Sequence, residues 1–144
     1  ASAAAMGVSL DSLTVVDGSG LDRSDRLTCA VLQGLLRRSG DGGTLAQAMP
    51  VAGQTGTLIR RFLGTPAEGK VRAKTGSLNG VVGLSGWITG GDGRSLEFSL
   101  IANDLPSESA GVALQDRLVA ALATYPKAPA PDEIAPEPVR PGPG

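Results

Sequence analysis

Residues 70–103 read KVRAKTGSLNGVVGLSGWITGGDGRSLEFSLIAN. Three runs, Lys70 to Leu78, Val81 to Thr89 and Ser95 to Asn103, are separated by Asn79-Gly80 and by Gly90 to Gly93. Asn-Gly and clustered glycines supply the positive φ that tight hairpin turns need, so the runs predict an antiparallel meander. The period of two puts Lys74 and Gly76 on one face and Thr75 on the other.

Working outward, Ser107 to Thr124 predicts an amphipathic helix capped by Ser107, with Ala110, Leu114, Leu118, Val119 and Leu122 as its buried stripe. Upstream, Ser24 or Asp25 is a candidate cap for a helix running to Arg38, with Leu27, Val31, Leu35 and Leu36 on one face and Gly40 to Gly43 ending it. Leu45 to Met49 reads as one helical turn before Pro50, and Thr57 to Leu63 as a short helix capped by Thr55 or Thr57. Leu13 to Val16 is strand-like and ends in the turn-forming set Asp17, Gly18, Ser19, Gly20. The class is α+β, an antiparallel sheet packed with helices. Three strands are few against the usual 4–6 or so, which points to further strands elsewhere.

The chain has 144 residues, enough for one domain. Residues 1–125 are assigned to it, and 126–144 to a Pro-rich extended tail: seven of the ten prolines lie there, with Ile134 and Val139 as its bulky aliphatics. The Ala-rich start, residues 1–7, has no basic flank of signal-peptide type. Lys and Arg number 13 and Asp and Glu 14, so there is no basic field for a nucleic-acid backbone. There is no histidine, which removes Ser-His-Asp and Cys-His catalysis and His metal ligation. The single cysteine, Cys29, excludes an intrachain disulfide or a cysteine zinc cluster and reads as a small buried thiol within its helix. No metal and no cofactor is called for. Trp87, alone in an apolar strand, reads as a core or interface anchor.

Residues 64–70, GTPAEGK, spell most of a phosphate-cradling loop, but Val71 stands where the Mg²⁺-binding hydroxyl belongs. The segment also runs from helix to strand, the reverse of the required order. Lys74, Thr75, Gly76 and Ser77 form the more informative cluster: an ammonium, two hydroxyls and a position without a side chain, all on one strand. This suits a carboxylate ligand lying against the strand, or pairing of an extended peptide with its edge. On spacing alone the favoured reading is a solvated lysine that guards an edge strand from aggregation. The Asp17 to Leu21 loop, with the Ser19 hydroxyl, reads either as a substrate-side loop or as a plain turn. Ser19 has no base beside it and is no nucleophile by itself.

Val16 to Arg26 (VDGSGLDRSDR), Met49 to Leu58 (MPVAGQTGTL), Gly69 to Trp87 (GKVRAKTGSLNGVVGLSGW) and the strand from Phe98 to Asn103 together resemble the penicillin-binding D-alanyl-D-alanine carboxypeptidase/endopeptidase family of low-molecular-mass class C type. The resemblance covers roughly residues 10–124 and corresponds to the carboxyl-terminal part of that serine DD-peptidase fold. Such enzymes use Ser-x-x-Lys, Ser-x-Asn and Lys-Thr-Gly motifs. Of these the chain is read as carrying the third. No serine has Lys three positions on, and neither Asn79 nor Asn103 is assigned to the second, so the nucleophile is expected on an upstream segment of the same protein.

The resemblance implies that Lys74 supplies charge for a terminal carboxylate and aids proton traffic, and that Thr75 hydrogen-bonds that carboxylate. It further implies that Gly76 keeps the edge open and that the Ser77 N–H forms half of an oxyanion hole. Leu78, Asp17 and Ser19 become substrate-side residues. Peptidoglycan stem peptides and β-lactam antibiotics are then the expected ligands, and the location is extracytoplasmic, in the periplasm or cell envelope. Two other readings stay open at this point: a β-lactamase of the same superfamily, and a non-catalytic peptidoglycan-binding or scaffold module that kept the fold.

Overall fold

The three runs pair as one antiparallel sheet. In the computed structural model, which describes residue 7 and residues 13–134, β1 (Val71–Leu78), β2 (Val81–Thr89) and β3 (Ser95–Ala102) lie in the order β1-β2-β3. The two-residue turn fixes the register. Leu78 faces Val81, so Gly76 faces Gly83, Lys74 faces Ser85 and Arg72 faces Trp87. Gly80 takes a positive φ of 80°, as that turn requires. Lys70 and Asn103 fall just outside the strands.

Helices cover both faces of the sheet. On one, Val71, Ala73, Leu84, Ile88 and Phe98 pack with Leu58, Phe62, Val119 and Ala123. Leu58, Leu84, Ile88, Val71 and Val119 are fully buried, each stabilising by roughly 1.5–3 kcal/mol. On the other face, Trp87 packs with Leu36, Ala46 and Met49, the anchoring role expected of it. The first helix, α1 (Cys29–Ser39), lies here with α2 (Thr44–Ala48), and Arg37 pairs with Glu97 of β3.

Several boundaries differ from the sequence reading for local reasons. α1 begins at Cys29, not at Ser24 or Asp25, because the chain there is held in another conformation. The Asp25 carboxylate accepts from Val16 N–H at 2.8 Å, and Arg26 pairs with Thr14 in an isolated bridge. Thr28 caps instead, its hydroxyl accepting from Val31 N–H. Leu27 is therefore exposed, and Cys29 is a half-buried helix start, not a buried interior thiol. Within Thr57 to Leu63 only a 3₁₀ turn, Gly56–Leu58, forms. The Thr55 hydroxyl accepts from Val51 N–H instead of capping it, and Phe62 at φ 66° breaks the chain direction.

α3 (Glu108–Leu122) keeps its Ser107 cap, but its buried line is Gly111, Gln115 and Val119, continued by Ala123. Ala110, expected in the stripe, is exposed, while Leu114, Leu118 and Leu122 are half-buried. The rotation follows from close approach at Gly111, where a Cβ would lie 2.6 Å from Val82 Cγ2. In the tail, Pro131–Ile134 forms one helical turn, α4, in place of extended chain, and Arg117 donates to the Asp132 carbonyl. The Ala-rich start up to residue 6, residues 8–12, and the tail beyond Ile134, including Val139, lie outside the described residues. Among the described residues no helix is long and apolar enough to cross a membrane.

Candidate active site

The outer edge of β1 is covered over only part of its length. Ala73 N–H donates to the Pro50 carbonyl at 3.1 Å, and Ala52 N–H to the Val71 carbonyl at 3.0 Å. Val71 and Ala73 therefore direct their backbone groups outward, and the two-residue period assigns the same direction to Thr75 and Ser77. No described segment pairs with the edge beyond Ala73. Among the described residues no backbone segment takes its outward groups there, and the Thr75 carbonyl accepts only from the Lys74 ammonium.

Lys74, Thr75, Gly76, Ser77 and Leu78 all line one groove of about 680 Å³. Its floor continues onto β2 and β3 through Gly83, Ser85 and Ile101, and its far wall is Gly20, Asp22, Arg26, Leu27 and Leu32. Lys74 Nζ donates to the Thr75 carbonyl at 2.6 Å and forms no ion pair among the described residues. An ammonium whose own partner is a neutral carbonyl on an open edge is positioned to accept an incoming carboxylate. The Thr75 hydroxyl donates to the Thr57 hydroxyl at 3.0 Å.

Packing within the sheet does not require glycine at Gly76. A Cβ there would meet its nearest neighbour, Gly83, at 3.9 Å, an ordinary contact. Gly86, by contrast, is forced: its Cβ would lie 2.0 Å from the Arg72 carbonyl oxygen. What the bare position at 76 does provide is backbone reach for something lying in the groove.

Asp17 and Ser19, read as substrate-side residues, are not among the groove's lining residues. Their side chains hold their own loop: Asp17 Oδ1 accepts from Ser19 N–H at 2.8 Å, and the Ser19 hydroxyl accepts from Leu21 N–H at 3.0 Å. The Ser19 hydroxyl, followed by its N–H, holds the Asp17 carboxyl below the usual carboxylate range. Gly20 and Asp22 of the same loop are what reach the groove. Residues 64–70 close on themselves, with Gly64 N–H donating to the Glu68 carboxylate at 2.7 Å.

Sequence reading missed Gly83, Ser85 and Thr57. The first two follow from the two-residue turn, which sets them opposite Gly76 and Lys74. Ser77, Leu78 and Asn79 spell Ser-x-Asn, so the reading that neither asparagine lies in that pattern is corrected for Asn79. Ser77 and Leu78 end the strand that carries Lys74 to Gly76 and Asn79 lies in the turn directly after it, so they add no second wall to the groove. Among the described residues no cluster of three or more His, Cys, Asp or Glu side chains could hold a metal ion.

A solved structure of penicillin binding protein 4 (dacB) from Haemophilus influenzae matches the chain with a TM-score of 0.72 at 30% identity, covering 85% of this chain and 30% of that one. The same protein complexed with a novel β-lactam also gives 0.72, at 27% identity. A three-stranded antiparallel sheet between helices, with an open lysine-bearing edge over a groove, thus defines the class: the α+β fold of the penicillin-binding peptidases. The D-alanyl-D-alanine carboxypeptidase of Actinomadura sp. (strain R39) is 40% identical over 128 residues, 83% of this chain and 23% of that protein. Residues 2–125 match the model of the D-Ala-D-Ala carboxypeptidase 3 (S13) family, and the chain belongs to that family. It spans about a quarter of the length of the curated relatives it matches.

Proposed function

We propose that this chain is the Lys-Thr-Gly portion of a serine-type D-alanyl-D-alanine carboxypeptidase/endopeptidase that acts on peptidoglycan stem peptides and is acylated by penicillins. The observation that carries the reading is the uncovered half of β1, where an ammonium without an acidic partner among the described residues stands beside outward backbone groups and a glycine that packing does not demand. The domain is residues 1–125, and the segment from 126 onward is an appendage to it.

In this mechanism the Lys74 ammonium and the Thr75 hydroxyl take the terminal carboxylate, and the peptide lies along the edge over Gly76, with Leu78 at its side chain. A serine on the upstream segment attacks the penultimate D-alanine carbonyl. Its Oγ–C bond forms, the C–N bond to the terminal D-alanine breaks, and the departing amine takes a proton delivered with the help of Lys74. Water then hydrolyses the acyl-enzyme. The Ser77 N–H and the serine's own N–H receive the developing oxyanion, a donor pair of which each member contributes about 10²–10³ in rate. The exposed apolar side chains Val15, Val16, Leu21 and Leu27 provide a surface against which the nucleophile-bearing part packs. Peptidoglycan as substrate places the protein outside the cytoplasmic membrane. The β-lactam carried by the Haemophilus influenzae relative supports the expected sensitivity to such drugs.

The test is intact mass spectrometry of the full-length protein with and without a penicillin, alongside D-alanine release from a peptide ending in D-alanyl-D-alanine. The expected result is a stable mass gain on a peptide outside residues 1–144, together with released D-alanine. Rapid penicillin turnover without a stable adduct would point to a β-lactamase, and no adduct with no release would leave a scaffold.

A further inference from the structure

Thr57 is assigned no role by the family resemblance, yet its hydroxyl is the hydrogen-bond partner of Thr75, with Oγ1 atoms 3.0 Å apart. Its place is fixed by backbone and not by its own side chain. The segment Pro50–Ala52 is tied to β1 through Ala52 N–H to Val71 and Ala73 N–H to Pro50. The Thr55 hydroxyl takes Val51 N–H at 2.8 Å. Gly56 turns at φ 53° so close to Pro50 that a Cβ would lie 2.9 Å from its Cγ. Leu58, the next residue after Thr57, is fully buried. The strap that ends the covered half of β1 thus returns a hydroxyl to the first residue of the open outward series.

We infer that Thr57 is a positioning residue that aims the Thr75 hydroxyl at the terminal carboxylate of the substrate; the inference rests on the carboxypeptidase reading above. A hydroxyl has one proton to donate and two lone pairs to accept with. In the structure the Thr75 hydroxyl donates to the Thr57 hydroxyl. A carboxylate only accepts, so on its arrival Thr75 turns its proton to the ligand and Thr57 donates to Thr75 in return. The two hydroxyls then point the same way, and each polarises the next. Valine at 57 has nearly the same shape but can neither donate nor accept. It leaves the Thr75 rotor without its protein partner, free to turn toward water instead of the ligand.

The experiment compares the full-length protein with its Thr57→Val and Thr57→Ser variants on a peptide ending in D-alanyl-D-alanine and on the same peptide amidated at its carboxyl terminus. Thr57→Val is expected to raise KM for the free acid about 3–10-fold, the range of one net hydrogen bond, with kcat within about twofold, and to lower the preference for acid over amide by the same factor. Thr57→Ser restores both values to within about twofold. Because Thr57 is exposed, Thr57→Ala is expected to repeat the valine result at an unchanged thermal midpoint. An acid-to-amide preference unaltered in Thr57→Val, or a serine variant as impaired as the valine one, overturns the inference while leaving the carboxypeptidase reading standing. A wild-type protein that neither releases D-alanine nor takes up penicillin overturns that reading, and this inference with it.

Discussion

Between Val71 and Ala73, β1 is hydrogen-bonded on both edges, to β2 and to residues 50–52, and its inward side chains are fully buried. From Lys74 to Leu78 the same strand keeps β2 on one side, but no described segment pairs with its outer edge, and Lys74, Gly76 and Ser77 are exposed. The glycines opposite the two halves make the contrast sharper. Gly86, facing Ala73, is required by contact with β1, whereas a Cβ on Gly83, facing Gly76, would make only ordinary contacts, 3.9 Å from the Leu100 carbonyl oxygen and 4.0 Å from Gly76 Cα. One half of the strand is therefore built for packing, and the other, left without a partner among the described residues, is the half proposed to take a ligand. An edge of this kind normally invites aggregation and is blunted by lysine; here the lysine that blunts it is also the residue proposed to bind substrate.

The largest effect that would break this division is Lys74→Ala in the full-length protein. Acylation by penicillin is expected to fall by about 10²–10⁴, the range of a lost proton-transfer group, with little change in thermal midpoint because the side chain is exposed and unpaired among the described carboxylates. Near-normal acylation would return Lys74 to the role of a solvated edge lysine.

Gly86→Ala tests the packed half. Its Cβ would overlap the Arg72 carbonyl oxygen and lie 2.6 Å from Ala73 Cα, so the β1–β2 pair must separate at about 1–3 kcal/mol. A lowered thermal midpoint is the expected readout, with acylation declining only as the folded fraction does.

Gly76→Ala is the complementary substitution. With 3.9 Å to its nearest neighbour the new methyl fits the sheet, and stability is expected to hold or to rise by up to about 1 kcal/mol. The same methyl stands in the groove and displaces a ligand lying on the strand, so acylation is expected to fall about 10- to 10²-fold. A Gly76→Ala protein that unfolds early but, once folded, reacts normally would erase the distinction between the halves.

The meander was legible because its information is local: alternation gives strands, and Asn79-Gly80 gives both the turn and the register. The Lys74 to Ser77 cluster was legible for the same reason, since four consecutive residues carry it. What could not be read depends on contacts between distant segments. Ser24 and Asp25 have the chemistry of caps, but Arg26 is paired with Thr14 and the Asp25 carboxylate is taken by Val16, so the helix waits for Thr28. The stripe of α3 was misplaced because a glycine, which carries no hydrophobic signal, makes its closest approach to the sheet. Thr57 reaches Thr75 only because residues 50–52 lie along β1, a pairing that neither segment announces by itself.

The smallest effect distinguishes backbone from side chain within the open half. The oxyanion role proposed for Ser77 belongs to its N–H, which by the alternation along β1 points outward with that of Thr75. No hydrogen bond from the Ser77 hydroxyl accompanies it among those described. Ser77→Ala leaves the N–H and its direction in place, so acylation is expected to stay within about twofold of wild type, far from the 10²–10³ or so that a lost oxyanion donor costs. A drop of that larger size on removing the hydroxyl alone would move the function of the position from the strand's backbone to its side chain. The open half would then be an ordinary cluster of polar side chains and not an unpaired edge at work.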